Sequence, residues 1–392
     1  MYILNSSEWL SKPRYVCGIM TGTSVDAVDT AIALFSNHEG KHIFEIIATA
    51  CYEIPEEIRE LIFRIITEPV PVSDISLSNF ALAKLFADSV RKLCMDSGFP
   101  IEKLDAVGIH GQTLWHEPEG REIAGMQIFS TFQGASISAL SKLVNKTVVG
   151  DFRSGDIALG GQGAPLVPIF DFEFLRDTNE NRIVINIGGI SNITILPADC
   201  KKEDVKAFDT GPGNVFIDLA VQRFFDLKYD KNGEIAEKGS VIPELMNNLK
   251  SIPFVKKQPP KSTGRELFSK DFFESLINEY GSVNTKKEDY VRTFTEFTSW
   301  SIAENIRLFA YNPLRIIASG GGSDNVFLID LLKKELPDII IDKSDKFGIP
   351  SDYKEALCFA YLAYRTLGGL SGNIPSVTGA SKETVPGVIA IP

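Results

Sequence analysis

Alternating apolar and polar positions characterise the first part of the chain. Residues 14–20 form an apolar run, and residues 25–34 alternate with the period of two that is typical of a β-strand. A short polar turn, residues 21–24, separates these two stretches. The pattern therefore predicts a hairpin whose tip exposes backbone N–H groups, and such a tip can bind an anion.

The same strand–turn–strand pattern returns at residues 181–196, where Gly188 and Gly189 occupy the turn. Two such units predict a duplicated architecture, with one copy in each of two domains. Other apolar runs predict strands at 42–52, 104–109, 125–132, 147–149, 205–208 and 315–318. Helical spacing of apolar positions predicts helices at 55–67, 74–96, 137–144, 165–174, 215–225, 243–249, 270–280, 286–309, 326–336 and 352–367.

The mixture of strands and helices predicts an α/β fold with two domains, because 392 residues exceed one ordinary core. Residues 154–165 contain four glycines, which disfavours a helix or a packed strand and is typical of a site or a hinge. We place the domain boundary just after this run, which gives an N-terminal domain of 1–168 and a C-terminal domain of 169–392. The last predicted helix and the tail are left free to pack back on the first domain.

Composition and charge disfavour some kinds of binding partner and some cellular compartments. A net charge of −11 argues against nucleic acid and against an anionic membrane surface. No apolar run is long enough to span a bilayer, and the first residues lack a secretory signal pattern. The five cysteines are scattered, with Cys17 and Cys358 inside apolar runs, so we expect core thiols and a reducing cytoplasm.

Glycine-rich tips follow three apolar strands, at Gly22, at Gly188–Gly189 with the 209–214 loop, and at Gly320–Gly322. Glycine lets the backbone approach a phosphate closely. The three tips fit a nucleotide held between two domains, two of them gripping phosphates and the third backing the adenosine. The alternative is that they are ordinary surface turns.

Acidic residues beside the first tip change this picture. Asp26 and Asp29 follow the tip, and a carboxylate near a phosphate is consistent with a magnesium ion between them. The chain has no Walker A pattern and no Gly-x-Gly-x-x-Gly after a strand, which disfavours a P-loop NTPase and a Rossmann dehydrogenase.

Asp151 ends a predicted strand just ahead of the glycine-rich run. It can act as a general base, since an ordinary aspartate is ionised at neutral pH, or it can cap a helix or pair with Arg153. His110 and His116 are either core histidines or, with two neighbouring polar side chains, Gln112 and Thr113, the lining of a sugar pocket.

Basic and acidic residues further along are ambiguous on their own. Lys261, Ser262 and Arg265 are expected to form a solvated basic stretch unless their context assigns them to a site. Glu355 is by default a solvated helix residue.

Taken together, these motifs resemble those of the anhydro-N-acetylmuramic acid kinase family. They occur in the family's order and extend over nearly the whole chain. The motifs are GTSVDAVD (22–29), HGQTLWHEP (110–118), GDFRSGDIALGGQGAPLVP (150–168), NIGGISNIT (186–194), DTGPGN (209–214), PPKSTGRELF (259–268), ASGGGSDN (318–325) and GNIPSVTGA (372–380).

The resemblance implies a two-domain sugar kinase/actin-like (ribonuclease H-like) fold with ATP in an interdomain cleft. It implies a kinase that opens 1,6-anhydro-N-acetylmuramic acid with water and phosphorylates it to N-acetylmuramic acid 6-phosphate, in peptidoglycan recycling. Another carbohydrate kinase of the same fold and a non-catalytic actin-like clamp are the alternatives. Homodimerisation is left open.

The resemblance also implies roles for residues. Asp151 would be the general base, and Asp26 and Asp209 would hold magnesium. The nucleotide would contact Gly22, Thr23, Ser24, Asp26, Asp29, Gly188, Gly189, Asp209, Gly211, Gly213, Asn214, Gly320, Gly321 and Gly322. The sugar would contact His110, Gln112, Thr113, Arg153 and Glu355.

Two departures from the family pattern are visible. Ala27 stands where the family usually has a glycine between its two acids, which adds a methyl group near the phosphates. Residues 127–146 are less typical of the family than their flanks, and this segment is expected to form part of the sugar pocket.

Overall fold

Strands and helices alternate in the computed structural model, which describes residues 5–22, 24–263, 267–281 and 285–392. The strands are, in chain order, β1 (Arg14–Thr21), β2 (Ala27–His38), β3 (Lys41–Glu53), β4 (Ala106–Ile109), β5 (Gln112–Ile123), β6 (Met126–Gly134), β7 (Thr147–Gly150), β8 (Arg182–Ile187), β9 (Ile190–Leu196), β10 (Lys206–Pro212), β11 (Arg315–Ser319), β12 (Ile340–Lys343) and β13 (Val388–Ala390).

Helices cover much of the remaining chain. In chain order they are α1 (Ser6–Leu10), α2 (Glu56–Thr67), α3 (Val72–Ser97), α4 (Ile137–Val144), α5 (Ser154–Ala158), α6 (Pro168–Leu175), α7 (Val215–Phe225), α8 (Pro243–Lys250), α9 (Pro253–Lys256), α10 (Lys270–Tyr280), α11 (Lys287–Phe309), α12 (Val326–Glu335), α13 (Lys354–Leu367) and α14 (Pro375–Thr378). No helix in these described ranges is both long enough and apolar enough to cross a membrane.

The first large sheet has the strand order β13-β7-β4-β1-β2-β3. Strands β1, β2 and β3 form an antiparallel meander, while β4 and β7 run parallel to β1. Strand β13 pairs antiparallel with β7 and closes that edge. The first three strands thus form hairpins, and the two parallel strands place their carboxyl ends on one edge.

The second large sheet repeats this arrangement, with the order β10-β9-β8-β11-β12. Strands β8, β9 and β10 form the antiparallel meander, and β11 and β12 run parallel to β8. Apart from β13, each sheet therefore has the order third, second, first, fourth, fifth along the chain. This agreement confirms an α/β fold with two sheets, and the duplication predicted from the hairpin pattern is present in the topology.

The chain forms two compact units. Unit 1 comprises Met1–Phe174 and Tyr353–Pro392, and unit 2 comprises Leu175–Asp352. The boundary therefore follows α6, whereas the sequence placed it at residue 168. The last long helix, α13, and the tail after it belong to unit 1.

Two strand glycines explain how α13 packs in unit 1. A Cβ on Gly18 of β1 would lie 1.8 Å from the carbonyl oxygen of Ala356, and one on Gly108 of β4 would lie 2.1 Å from that of Phe359. The absence of side chains at these glycines lets the helix backbone rest directly on the sheet. This contact places the first turn of α13, which carries Glu355, against β1 and its second turn against β4.

Several local predictions were wrong. The glycine-rich run was not expected to contain a helix, yet its first five residues, Ser154–Ala158, form α5. Only Gly155 of the four glycines lies in that turn, so the others do not interrupt it. Residues 112–123 were not predicted as a strand, although they form β5 and pair with β6. Cys17 and Cys358 lie fully buried, as predicted.

Candidate functional site

The tip between β1 and β2 is a tight turn. The N–H of Val25 donates to the carbonyl oxygen of Gly22 at 3.2 Å, and Ser24 Oγ donates to Asp26 Oδ1 at 2.5 Å. Ser24 and Asp26 are exposed, so their oxygens are accessible to a ligand. Thr23, assigned to the nucleotide from the sequence, lies outside the described residues.

Asp151 follows β7 directly and has φ of 54°, an uncommon left-handed conformation for a residue other than glycine. Its Oδ1 accepts hydrogen bonds from the N–H of Ser154 at 3.3 Å and from Ser154 Oγ at 2.6 Å. No other hydrogen bond reaches this carboxylate within the described part of the chain. Asp151 therefore caps the start of α5 with one oxygen and keeps the other available.

Arg153, which is half-buried, pairs with the buried side chain of His110 just beyond the ends of β7 and β4. Arg153 donates from Nε at 3.0 Å and from a terminal nitrogen at 2.8 Å, both to His110 Nε2. A ring nitrogen that accepts these bonds carries no proton, and burial together with the Arg153 charge holds the pKa of His110 well below 6.5. Burial lowers the pKa of Arg153 to about 10, so it remains a cation at neutral pH.

The positive charge of Arg153 also affects the pKa values of His116 and Glu355. Burial, aided by the Arg153 charge, lowers the pKa of His116 to about 4, and His116 Nδ1 lies 3.1 Å from Thr131 Oγ1. Burial raises the pKa of Glu355, against the charge of Lys354, and the Asp29 carboxylate adds to the rise. Glu355 is half-buried, and the charge of Arg153 works against the rise in its pKa.

Gln112 and Thr113 begin β5, next to His110. Gln112 is 1% exposed, and its Oε1 has no hydrogen-bond partner among the residues that the structure describes. A buried acceptor without a partner is costly, and a ligand hydroxyl can satisfy it. This observation fits the sugar-pocket assignment of Gln112 made from the sequence.

In unit 2, the turn between β8 and β9 is tied to the loop before α7. The carbonyl oxygen of Gly189 accepts from the N–H groups of Gly213 at 2.8 Å and Val215 at 3.1 Å, and that of Gly188 accepts from Asn214 at 2.8 Å. A Cβ on Gly213 would lie 2.2 Å from the Gly188 oxygen, whereas a Cβ on Gly189 would meet nothing within 4 Å. Gly213 is therefore required for packing, and Gly189 faces open space.

The loop after β11 packs on the same region of unit 2. Gly320 has φ of 78°, and a Cβ there would lie 2.3 Å from Asn186 Oδ1. A Cβ on Gly322 would also lie 2.3 Å from the side chain of Ile187, while Gly321 has open space. The second and third glycine-rich loops therefore meet at the end of β8, within unit 2.

Asp209 lies in β10, and its Oδ2 accepts a hydrogen bond from the N–H of Thr263 at 2.8 Å. Gly211, two residues later, has φ of 145°, a conformation that favours glycine. The strand is irregular between these two residues, which turns the chain toward the loop at 211–214.

Lys261 is the residue that sequence reasoning most undervalued. It is 3% exposed, and Nζ donates to Val255 O at 2.7 Å, to Asn305 Oδ1 at 2.6 Å and to Phe254 O at 3.2 Å. Burial lowers its pKa to about 8. The expectation of a solvated lysine is wrong, because apolar rings and carbonyl groups enclose the ammonium; Arg265 lies outside the described residues.

A dedicated metal cage is absent from the described ranges, which contain no group of three or more His, Cys, Asp or Glu able to hold an ion. Magnesium commonly uses only one or two carboxylates and takes its other ligands from phosphates and water. The carboxylates of Asp26 and Asp209 have the chemistry that such a site requires.

Known proteins resemble this chain over nearly its full length. The profile of the family described as anhydro-N-acetylmuramic acid kinase matches residues 14–392. Proteins of that name from Bacillus cereus (strain AH187) and Bacillus anthracis are each 39% identical over 387 residues, which covers 96% of this chain and 99% of theirs.

Solved structures show only a distant likeness. The (R)-2-hydroxyglutaryl-CoA dehydratase component A of Acidaminococcus fermentans aligns with a TM-score of 0.46 at 14% identity, over 90% of this chain and 99% of that one.

Proposed function

Because the chain belongs to the anhydro-N-acetylmuramic acid kinase family, we propose that it converts 1,6-anhydro-N-acetylmuramic acid, water and ATP into N-acetylmuramic acid 6-phosphate and ADP. The observation that carries this proposal is the match over residues 14–392, which includes every motif used here. The product belongs to cell-wall recycling, and a reaction that consumes ATP is expected in the cytoplasm.

Asp151 is the proposed general base. One of its oxygens is held by Ser154, which fixes the carboxylate while leaving the second oxygen to accept a proton from water. The water oxygen then bonds to the anomeric carbon, and the bond from that carbon to the bridging oxygen breaks. The bridging oxygen bonds to the γ-phosphorus of ATP as the bond from that phosphorus to ADP breaks, and ADP leaves. The second water proton stays on the new anomeric hydroxyl, and Asp151 returns its proton to solvent.

The sugar is proposed to bind in unit 1, beside His110, Gln112, Thr113, Arg153 and Glu355. Arg153 supplies a fixed cation, suited to the carboxylate of the lactyl group, because His110 accepts two of its N–H bonds and holds the guanidinium in place. Gln112 offers an unpaired oxygen, and Thr113 and Glu355 add polar groups around it. These side chains come from three separate segments of unit 1, at residues 110–113, 153 and 355.

ATP is proposed to bind through backbone groups and small side chains. In unit 1 the proposed contacts are Gly22, Thr23, Ser24 and Asp29. In unit 2 they are the Gly188–Gly189 turn, the loop with Gly211, Gly213 and Asn214, and the Gly320–Gly322 loop. The open space beside Gly189 and Gly321 suits a close approach of phosphate or nucleoside to the main chain. That residues of both units contact one nucleotide is part of this proposal.

Magnesium is the proposed cofactor, held through Asp26 and Asp209. A bound divalent cation would neutralise charge on the transferring phosphoryl group. The carboxylates themselves are accessible or held by a backbone N–H, which suits an outer contact with phosphates and water. A homodimer remains a proposal that only a measurement of molecular mass in solution can decide.

An assay of ADP formation tests the proposed function. We expect ADP to appear only when the anhydro-sugar is added, and not with glucose or N-acetylglucosamine. Turnover with an ordinary hexose instead would favour another carbohydrate kinase of this fold. ATP hydrolysis that is independent of any sugar would favour a nucleotide-driven clamp.

A further inference from the structure

Asp156 is a buried carboxylate that the proposed mechanism leaves without a role. It lies in α5 and is 1% exposed. Its Oδ1 accepts from Thr378 Oγ1 at 2.7 Å and from Asn373 Nδ2 at 2.8 Å, and its Oδ2 accepts from the N–H of Gly163 at 2.8 Å. Three donors thus converge on one carboxylate, from segments more than 200 residues apart.

The two segments that Asp156 joins also touch each other directly. The N–H of Gln162 donates to the carbonyl oxygen of Thr378 at 2.8 Å, and that of Ser381 donates to Leu159 at 2.9 Å. A Cβ on Gly161 would lie 2.2 Å from Asp156 Oδ2. A side chain at position 161 would therefore collide with the Asp156 carboxylate, which explains the glycine there. Hydrogen bonds to Thr378 and Ser381 attach the glycine-rich run to the 373–381 segment.

A chain of hydrogen bonds connects this clamp, which consists of Asp156, Asn373 and Thr378, to the side chains proposed to bind the sugar. Gly163 donates its N–H to Asp156 Oδ2 and accepts at its carbonyl oxygen from Arg153 at 3.3 Å. Arg153 in turn donates to His110 Nε2. The N–H of Ile157 also donates to the carbonyl oxygen of Arg153 at 3.1 Å, which ties Arg153 to the helix that carries Asp156.

We propose that Asp156 and Thr378 are positioning residues that hold the Gly161–Gly163 loop, and through it Arg153, in the geometry that binds the sugar. The inference rests on the proposed function, since Arg153 must contact the substrate. It goes beyond the family match because it gives the motif at residues 372–380 a task, which is to supply the hydroxyl and amide that satisfy a buried charge. Among the described residues, none that is assigned to the nucleotide forms a hydrogen bond with Asp156 or Thr378.

Thr378→Val and Thr378→Ser test the proposal as a matched pair. Valine keeps the shape of threonine but removes the donor to a charged acceptor, and hydrogen bonds to charged groups are among the stronger ones. We expect Thr378→Val to raise KM for the anhydro-sugar about tenfold, which corresponds to ~1.4 kcal/mol. KM for ATP should not change, and Thr378→Ser should restore KM for the sugar.

Other results are equally informative. If Thr378→Val raises KM for the sugar and KM for ATP equally and also lowers the thermal midpoint, Thr378 serves stability alone. That result would overturn the proposal. If the wild-type protein turns over the sugar and Thr378→Val has the same KM for it, the positioning role is wrong while the proposed function stands. If the wild type ignores the sugar, the proposed function fails first, and the assignment of Arg153 falls with it. Asp156→Asn, which keeps the size but loses one acceptor, should reproduce the Thr378→Val pattern.

Discussion

Unit 1 and unit 2 share a strand order but differ in the residues at their strand ends. At the strand ends of unit 1 the chain places Asp151, Arg153 and His110, whose side chains are bonded to one another or to the next helix. At the strand ends of unit 2 it places glycine loops whose backbone groups are bonded to each other. One topology thus supports two kinds of surface, one made of side chains and one made of main chain.

The difference matters for what each unit can recognise. Side chains of defined charge can select a sugar and move a proton, whereas bare backbone and helix N-termini suit phosphates of any origin. The charged groups of unit 2 follow the same division. Lys261 belongs to the segment whose Thr263 N–H bonds Asp209, and its buried ammonium is bonded to Val255 and Asn305 and is not presented to solvent. Substitutions in the two units should therefore affect different steps.

The largest expected effect is that of Asp151→Asn in unit 1. Asparagine keeps the oxygen that accepts from Ser154 but cannot take the proton of water, so turnover should fall by about 10²–10⁴. ATP binding, measured by titration, should be retained. Ser154→Ala is the matched control, because it loosens the same carboxylate without removing it and should cost far less. Near-normal turnover of Asp151→Asn would remove the base assignment.

In unit 2, Gly189→Val should raise the dissociation constant of ATP about tenfold or more, ~1.4 kcal/mol, because its side chain fills open space beside the loop. The thermal midpoint should stay close to that of the wild type. Gly213→Ala is the contrast, since its methyl group would lie 2.2 Å from a carbonyl oxygen and should lower stability as well. Unchanged ATP titration of Gly189→Val would contradict the assignment of this turn.

A smaller effect is expected from Lys261 at alkaline pH. Its pKa is about 8 in the folded protein, below the ordinary 10.5 of a lysine, so the unfolded chain binds more protons between these values. Stability contributed by this group therefore rises as pH increases from about 8 to 10.5. The free energy of unfolding of wild type minus that of Lys261→Met should increase over this range, by on the order of 1–3 kcal/mol.

The smallest effect belongs to His116 in unit 1, on the acid side. Its folded pKa of about 4 lies below the ordinary 6.5 of a histidine, so the unfolded chain takes up the proton first as pH falls. The free energy of unfolding of wild type minus that of His116→Gln should decrease between pH 6.5 and 4 and stay constant below. Partial exposure screens the effect, which we expect to be on the order of 1 kcal/mol or less. A flat difference would show that His116 is not desolvated.

Local sequence patterns predicted the two hairpins and most helices, because alternation and helical spacing report directly on which face is buried. The strand β5 was missed because its outer half is polar and exposed on both faces, with bulges that interrupt the alternation. The short edge strand β13 was missed for a related reason, since three residues at the end of a proline- and glycine-rich tail carry too little pattern.

The site was predictable where a motif lies at a strand end, as for Asp151 and the glycine turns. It was not predictable where a residue's role depends on distant partners. Lys261 lies in a polar, proline-flanked segment, and only the fold reveals the rings and carbonyl groups around it. Asp156 likewise gains its partners from residues 373 and 378, which nothing in local sequence connects to it.

The most direct measurement uses isotopically labelled water. The protein is incubated with the anhydro-sugar, ATP and oxygen-labelled water, and the position of the label in the sugar phosphate is read by mass spectrometry and NMR. The account predicts label on the anomeric carbon of the sugar 6-phosphate, with none in the phosphoryl group. Label in inorganic phosphate, with the anhydro-sugar left intact, would contradict it.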